Sequence, residues 1–355
     1  MRQRLEAKML RYLIAGESHG KALMAILEGL PSGLKVQKEG IDAELARRQA
    51  GYGRGARMQI EKDTVEIISG LHKGLTIGSP VGMLIQNKDF SIDRQAAITN
   101  PRPGHADLAG LLKYGFSDAR PVLERASARE TAARVAIGAV CKIFLAEFDI
   151  TVSSKVLSIG GKTIKEEMRK IIDEAMRKKD SVGGSFEVAI RGVPVGLGSY
   201  VQPDRRLNAR LAGAIMSVPG IKAIEFGLGL ECAHRFGSRV HDAIYYSKAN
   251  GYYRKTNNAG GIEGGISNGQ DIIIRGYMKP IATLNKPLAS VDIKTKKAML
   301  ASIQRADTCA VEAAGVVAES MTAFEIANCL LEKFGGDCLK DIQQAYCAYL
   351  KRISR

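Results

Sequence analysis

The chain has 355 residues, of which 45% are apolar, a composition that supports a large hydrophobic core and excludes a disordered protein. Its formal net charge of +15 favours anionic partners, but aromatic residues make up 6% and tryptophan is absent, which argues against nucleic-acid binding. No apolar run is long enough for a membrane span, and no Cys-x-x-Cys or His-Glu-x-x-His motif occurs, so we expect a cytoplasmic protein without a metal.

The first predicted element is a strand over residues 10–15, followed at once by Gly16-Glu-Ser-His-Gly20. This pattern matches the nucleophile elbow of serine hydrolases, so a hydrolase that uses Ser18 is an alternative function. The motif lies too close to the start of the chain for the earlier strands and the oxyanion loop that such an enzyme needs. A turn whose serine caps the next helix is the plainer interpretation.

The middle of the first part carries a rigid loop and a capped helix. Two prolines and a glycine in 101–107 would hold Arg102, His105 and Asp107 in place, as an active-site loop requires, although a capped surface turn would look the same. Ser127-Ala-Arg-Glu130 is typical of a capping box before a helix over 131–148. The start of this helix is a candidate phosphate site.

The second part of the chain repeats features of the first. Gly29-Leu-Pro-Ser-Gly-Leu34 is echoed by Gly192-Val-Pro-Val-Gly-Leu197, each before a predicted helix, over 41–49 and 204–216, and residues 65–70 are weakly echoed by 223–227. We therefore expect one α+β domain built from two similar halves, about 1–150 and 160–355. The elements do not alternate as in a doubly wound parallel sheet.

Near its end the chain has a glycine-rich loop, a strand and a long helix. Glycine is dense over 257–269, which indicates a loop that a ligand or another backbone approaches closely, and 271–275 is a predicted strand. A helix over about 311–334 is apolar on two faces and ends at Gly335-Gly336. Asp307 precedes it and either begins this helix or extends a carboxylate into a pocket.

Arginines fall in three short clusters, which suits recognition of phosphate and carboxylate groups better than a nucleic-acid backbone. A solvated basic surface remains the alternative for each cluster. The clusters are Arg47, Arg48, Arg54 and Arg57; Arg120, Arg125, Arg129 and Arg134; and Arg205, Arg206 and Arg210.

Seven motifs, in order and spread over nearly the whole chain, resemble those of the chorismate synthase family. They are GESHG (16–20), RRQAGYGRGARMQIEKD (47–63), PRPGHAD (101–107), RASARETAARVA (125–136), NNAGGIEGGISNGQ (257–270), KPIATL (279–284) and RADTCAV (305–311).

The resemblance implies a fold and an activity. The fold would be two antiparallel β-sheet layers that sandwich a helical core, assembled as a homotetramer. The enzyme would be a lyase that eliminates phosphate from 5-enolpyruvylshikimate 3-phosphate and releases chorismate, the last common step towards aromatic amino acids. The family requires reduced FMN although the reaction has no net redox change.

The resemblance also implies roles for individual residues. His19 would protonate the departing phosphate, His105 would keep the reduced flavin in its reactive state, and Asp307, with Ser18 and Ser127 as relay hydroxyls, would manage the proton at flavin N5. FMN would lie against Arg125, Ala126, Ser127, Pro219, Gly220, Gly264, Gly265, Lys279, Pro280, Ile281, Ala282, Thr283 and Arg305, with Met278 and Asn258 as neighbours. The anionic substrate would meet Arg48, Arg54, Arg57, Arg102, Arg129 and Lys279.

Some features of the family pattern are absent or undecided. Ala306 replaces a usual serine, Pro219-Gly220 replaces a usual polar residue and alanine, and Glu312 stands where proline is common. Arg48 and Arg54 match positions that contact NADP in the family. Because the chain has no dinucleotide-binding fingerprint, we expect it to depend on a separate flavin reductase rather than to use NADPH itself.

Overall fold

The computed structural model describes residues 10–55, 62–304 and 307–353. Alternation of buried and exposed side chains defines the strands, as in β2, where Leu23, Ala25 and Leu27 face the core. The strands of the first part are β1 (Arg11–Ala15), β2 (Ala22–Glu28), β3 (Glu66–Ser69), β4 (Leu71–His72), β5 (Leu75–Thr76) and β6 (Val81–Gln86).

The described residues of the second part form ten further strands. They are β7 (Thr151–Ile159), β8 (Gly184–Arg191), β9 (Ile221–Phe226), β10 (Ile244–Ser247), β11 (Gly251–Arg254), β12 (Ile262–Glu263), β13 (Ile266–Ser267), β14 (Ile272–Met278), β15 (Ala289–Val291) and β16 (Ala298–Leu300). The α-helices are α1 (Lys38–Gln49), α2 (Asp107–Tyr114), α3 (Arg120–Arg125), α4 (Thr131–Ala146), α5 (Lys165–Arg177), α6 (Leu207–Met216), α7 (Val311–Phe334) and α8 (Leu339–Ile353).

Two four-stranded antiparallel sheets enclose the core helices α4 and α7. The first has the order β1-β2-β6-β3 and the second the order β7-β8-β14-β9. Helix α4 packs on the first sheet, α7 packs on the second, and the two helices pack against each other. The expected α+β fold, with two antiparallel layers around a helical core, is therefore confirmed.

The predicted repeat is visible in backbone and side-chain hydrogen bonds. In each part, a hydroxyl on a two-stranded hairpin donates to the carbonyl of the repeated proline and accepts from the N–H of the repeated leucine. The groups are Thr76 with Pro31 (2.6 Å) and Leu34 (2.9 Å), and Ser267 with Pro194 (2.6 Å) and Leu197 (2.8 Å). The division into halves at 1–150 and 160–355 stays a prediction.

Most predicted elements are found with small shifts at their ends. The helix over 311–334 matches α7, the one over 131–148 ends earlier at Ala146, and the one over 204–216 begins as a 3-10 turn before Leu207. The expected loop over 257–269 contains the short β12–β13 hairpin. Helix α7 is long and apolar enough to cross a membrane by composition, but it is buried in the core.

The nucleophile-elbow interpretation of residues 16–20 is wrong in its structural context. An elbow joins a strand to a helix, whereas this turn joins β1 to β2, which pair as an antiparallel hairpin. Because the strand β2 follows this turn, the interpretation of Ser18 as the cap of the next helix is also wrong. The hydrolase alternative therefore loses the geometry on which it depended.

Close contact between the two core helices depends on one glycine. A Cβ atom at Gly138 would lie 2.3 Å from the Ser320 Cβ and 2.5 Å from its Cα, so neither helix can keep its place if the atom is added. We expect Gly138→Ala to lower the free energy of unfolding by about 1–3 kcal/mol, the usual cost of overpacking. Chemical denaturation followed by circular dichroism would measure the change.

Gly213 provides the matched control for this prediction. It also lies within a helix, α6, but an added Cβ atom would meet nothing within 4 Å. Gly213→Ala should therefore be neutral or stabilising by up to about 1 kcal/mol, because alanine favours the helix over glycine. Equal destabilisation by both substitutions would mean that the helix crossing is not the cause.

Candidate active site

The turn between β1 and β2 presents His19 to a buried carboxylate. His19 Nδ1 lies 2.9 and 3.0 Å from the two oxygens of Glu124, and the His19 backbone N–H donates to the same carboxylate at 2.8 Å. The Glu124 side chain is fully buried. Although burial would raise the pKa of Glu124, the hydrogen bonds and charge of His19, with Arg120, lower it. The carboxylate is therefore held ionised beside the imidazole.

Ser127 connects this turn to the start of α4. Its hydroxyl donates to Ser18 Oγ at 3.3 Å and accepts from the Arg129 backbone N–H at 3.3 Å. The capping role predicted for Ser127 is thus present, on a 3-10 turn that precedes α4. Glu130 pairs with Arg134 at 3.0 Å instead of completing the box.

Arg48, Arg54 and Arg129, which we call the arginine cluster, meet two carboxylates. Arg129 Nη1 donates to both oxygens of Asp63 at 2.7 Å, and Arg48 Nη1 lies 3.5 Å from the same group. Arg54 Nε lies 3.3 Å from Asp307. Burial lowers the pKa of Arg48 to about 10, against the opposing charge of Asp63. Three guanidinium groups thus face two carboxylates in a buried site.

Each arginine of the cluster has one buried nitrogen that makes no hydrogen bond to residues 10–55, 62–304 and 307–353. These are Arg129 Nη2, together with Arg48 Nη1 and Arg54 Nε, which lie near a carboxylate without hydrogen-bond geometry. A buried donor without an acceptor costs about 1–3 kcal/mol, more when it is charged. An anion that bound here would satisfy these groups and balance the excess positive charge.

Asp307 lies beside the arginine cluster and does not begin α7. Its Oδ1 accepts from the Gly55 backbone N–H at 2.6 Å, and the N-cap of α7 is Ala310. The helix-start interpretation of Asp307 is therefore wrong. Its second oxygen lies 3.3 Å from Arg54 Nε, beside the arginine cluster, and the pocket interpretation stays a prediction.

The loop over 101–107 gathers Arg102, His105 and Asp107 into one hydrogen-bonded group. Asp107 accepts from Arg102 Nε at 2.8 Å and lies 2.5 Å from His105 Nδ1. Burial would raise the pKa of Asp107, but its hydrogen bonds with His105 and Arg102 hold that pKa well below its usual range. Arg102 and Asp107 are buried, whereas Pro103, Gly104 and Ala106 are exposed, so the active-site and surface-turn interpretations of this loop both stay open.

Residues 279–283 form hydrogen bonds with the loop over 101–107. Arg102 Nη1 donates to Thr283 Oγ1 at 2.6 Å, and Lys279 Nζ donates to the Gly104 carbonyl at 2.5 Å. Burial, with the charge of Lys222, lowers the pKa of Lys279. The Lys279 N–H donates to the Gly220 carbonyl at 2.9 Å, which brings Pro219-Gly220 and Lys279 together.

A short connection joins this loop to the arginine cluster. Ser181 Oγ donates to the Ile281 carbonyl at 2.7 Å, and the next residue, Val182, donates to the Thr308 carbonyl at 2.9 Å. Thr308 in turn donates to the Gly53 carbonyl at 2.8 Å. Residues near 53, 182, 281 and 307 are therefore contiguous, as one site requires.

Other predicted ligand residues lie elsewhere or outside the described residues. Gly264 and Gly265 form the turn between β12 and β13, where Gly265 accepts from Leu207 at the start of α6. Met278 lies against Gly220, whereas Asn258 bonds to the Val240 carbonyl. Arg125 is exposed, with a guanidinium 3.5 Å from the Ile14 carbonyl. Arg57, Arg305 and Ala306 are not among the described residues.

Arg210, of the third arginine cluster, has a structural role. It pairs with Glu325 at 3.0 Å and with Glu332 at 2.6 Å on α7, and it fixes α6 to the core helix. The expectation that this cluster binds a ligand is therefore not supported for Arg210.

Sequence reasoning missed three residues that build the site. Glu124 holds His19, Asp63 pairs with Arg129, and Asn87 accepts from Arg129 Nε at 2.9 Å while its amide N–H donates to the Gly20 carbonyl at 2.7 Å. A signal was available for Asp63, which ends the motif over 47–63. Buried arginines need carboxylate partners, so acidic residues inside these motifs could have been sought.

The fold and this site define an α+β enzyme whose site is cationic and lined by histidines and carboxylates. The sequence profile described as chorismate synthase matches residues 10–331. Chorismate synthase of Thermoanaerobacter pseudethanolicus is 57% identical, over 96% of this chain and 98% of the relative, and that of Geobacter sulfurreducens is 50% identical, over 97% and 99%. A crystal structure of chorismate synthase, 43% identical, superposes with a TM-score of 0.81 over 97% of this chain and 98% of the other. The chain belongs to the chorismate synthase family, and its predicted function as an enzyme is confirmed.

Proposed function

We propose that this chain catalyses the anti-1,4-elimination of phosphate from 5-enolpyruvylshikimate 3-phosphate to give chorismate, with reduced FMN as the required cofactor. The observation that carries the proposal is the arginine cluster, with three buried nitrogens that make no hydrogen bond to the described residues. The substrate has a phosphate and two carboxylates, which are the acceptors that guanidinium groups bind best.

The charge of the cluster agrees with such a substrate. Among the described residues, Arg48, Arg54 and Arg129 pair with Asp63 and Asp307, which leaves one positive charge more than these carboxylates balance. Arg102 and Lys279 add cations on the neighbouring loop. In a site with little water these charges attract a small polyanion more strongly than they would on the surface.

The residues on the other side of this loop are the ones we assign to FMN. Gly220 has a positive φ of 86°, which glycine adopts without strain, and a Cβ atom there would lie 3.1 Å from the flexible end of Met278. We infer that Arg125 to Ser127, Gly220 and Lys279 to Thr283 hold the cofactor. When bound, reduced FMN supplies electron density to the reacting ring.

The protein's own groups handle the protons. His19 donates a proton from Nε2 to a phosphate oxygen as the phosphate leaves, while Nδ1 stays with Glu124. His105 is oriented by Asp107 and holds a proton on the cofactor side. Asp307 accepts the N–H of Gly55 through one oxygen and keeps the other for proton transfer.

We propose further that the enzyme acts in the cytoplasm as a homotetramer and receives reduced FMN from a separate reductase. Exposed apolar side chains on the first sheet, Leu13, Met24 and Ile26, offer a surface that assembly would cover. Dependence on a reductase rests on the absence of a dinucleotide fingerprint in the sequence.

An anaerobic assay tests this function. With chemically reduced FMN and the shikimate-derived substrate, chorismate absorbance and phosphate should rise together, while oxidised FMN, or oxidised FMN with NADPH, should give no turnover. Equal activity without flavin would exclude the proposal. Fluorophosphonate labelling of Ser18 with ester turnover would instead favour the hydrolase.

A further inference from the structure

Glu124 is a buried carboxylate that takes no direct part in the proton transfers proposed above. Its side chain is fully buried, and both its carboxylate and its backbone hold the turn that carries His19. The Ser18 N–H donates to the Glu124 carbonyl at 3.0 Å, and the His19 N–H and ring donate to the carboxylate. Burial of a carboxylate is costly unless its partners are fixed, so this arrangement is a specific one.

Nδ1, the His19 ring nitrogen that faces Glu124, has only one possible protonation state. An ionised carboxylate accepts hydrogen bonds and cannot donate them, and the pKa of Glu124 is lowered. Nδ1 of His19 therefore carries a hydrogen whether the ring is neutral or charged. It follows that Nε2 is the atom that gains and loses a proton.

We propose that Glu124 is the positioning residue for His19: it fixes the ring so that Nε2 is the only proton-exchanging atom and faces the reacting phosphate. This inference rests on the proposed function only for the identity of the proton acceptor. In the step, the Nε2–H bond breaks, an O–H bond forms on the leaving phosphate, and the N–H electron pair stays on Nε2. The Nδ1 proton and the ionised state of Glu124 do not change.

Other groups around His19 support this orientation. Arg120 Nη1 lies 3.4 Å from Glu124, and its guanidinium is fixed by the Ala96 carbonyl at 3.0 Å, so the carboxylate cannot turn away freely. On the opposite side Asp89 lies 3.9 Å from Nε2 and is half exposed. Among the described residues, Glu124, Asp89 and Arg120 are charged groups close to this turn, and Glu124 contacts the ring at hydrogen-bond distance.

The first test needs no variant. ¹⁵N-histidine-labelled protein, studied by magic-angle-spinning NMR, should show the neutral His19 ring with hydrogen on Nδ1, assigned by loss of the signal in His19→Asn. Hydrogen on Nε2 in the neutral ring would overturn the proposal. Because this measurement needs no substrate, it stands even if the proposed reaction proves wrong.

The second test is kinetic. Glu124→Gln has one side-chain oxygen for three donors, the backbone and ring N–H groups of His19 and Arg120 Nη1. We expect kcat to fall about tenfold to a thousandfold with KM within threefold, since orienting an acid cannot contribute more than the acid itself. In a His19→Asn background the same substitution should lower kcat less than threefold, because its effect acts through the ring. An equal fall in both backgrounds, an unchanged kcat or a change confined to KM would overturn the proposal.

Glu325→Gln is the matched control. Glu325 is also a buried carboxylate paired with an arginine, Arg210, at 3.0 Å, but it lies on α7 and fixes α6. Both substitutions should lower the melting temperature, while only Glu124→Gln should alter kcat. A wild-type enzyme without turnover on reduced FMN would contradict the proposed function and leave the NMR result to decide the role of Glu124.

Discussion

His19→Asn should lower kcat about a hundredfold to ten-thousandfold, the usual contribution of a positioned general acid. Asparagine places its amide nitrogen near the position of Nδ1, so the hydrogen bond to Glu124 can persist while the proton-exchanging Nε2 is removed. Stability and substrate affinity should therefore change little. Anaerobic steady-state assays of chorismate and phosphate release would give kcat and KM.

His72 provides the control for this substitution, because it is exposed on the short strand β4 and belongs to no part of the site. His72→Asn should retain wild-type kinetics. If His19→Asn also kept near-normal turnover while binding substrate normally, His19 would be a structural residue of the β1–β2 turn.

Asp307→Asn should slow the chemical step at least about a hundredfold and leave substrate binding and stability nearly unchanged. In the wild-type chain the Asp307 carboxylate accepts the Gly55 N–H at 2.6 Å, and asparagine keeps an oxygen that can accept the same hydrogen bond. The asparagine amide cannot accept and return a proton. Single-turnover stopped-flow with reduced FMN and saturating substrate would isolate the rate of chorismate formation. Thermal unfolding would show that the fold persists.

Arg54→Gln distinguishes a proton-transfer role of Asp307 from a role of its ion pair with Arg54. It breaks the 3.3 Å contact with Asp307 and leaves the carboxylate in place. We expect it to raise KM, since Arg54 is a proposed substrate ligand, and to lower kcat less than Asp307→Asn does. If both variants lost the same factor in the single-turnover rate, Asp307 would act by holding Arg54, and the proton role would belong to another group.

Local sequence patterns determined many of the elements and the family. Helix α7 was predicted at its observed bounds because its apolar faces and the glycines after it are short-range signals. The order of the motifs identified the family, since seven unrelated motifs do not occur in one order by chance. The repeated Gly-x-Pro-x-Gly-Leu turns likewise predicted the repeat, because both turns need the same backbone conformation.

Only the tertiary structure decided which side chains meet. His19 and Glu124 are 105 positions apart, and Arg129 and Asp63 are 66 apart, so no local pattern could pair them. Residues 16–20 fit an elbow by sequence, and only the pairing of β1 with β2 excluded it. Spacing along a chain reports turns and periodic faces, whereas the partner of a buried charge is set by packing of distant segments, where an unpaired charge is too costly to remain.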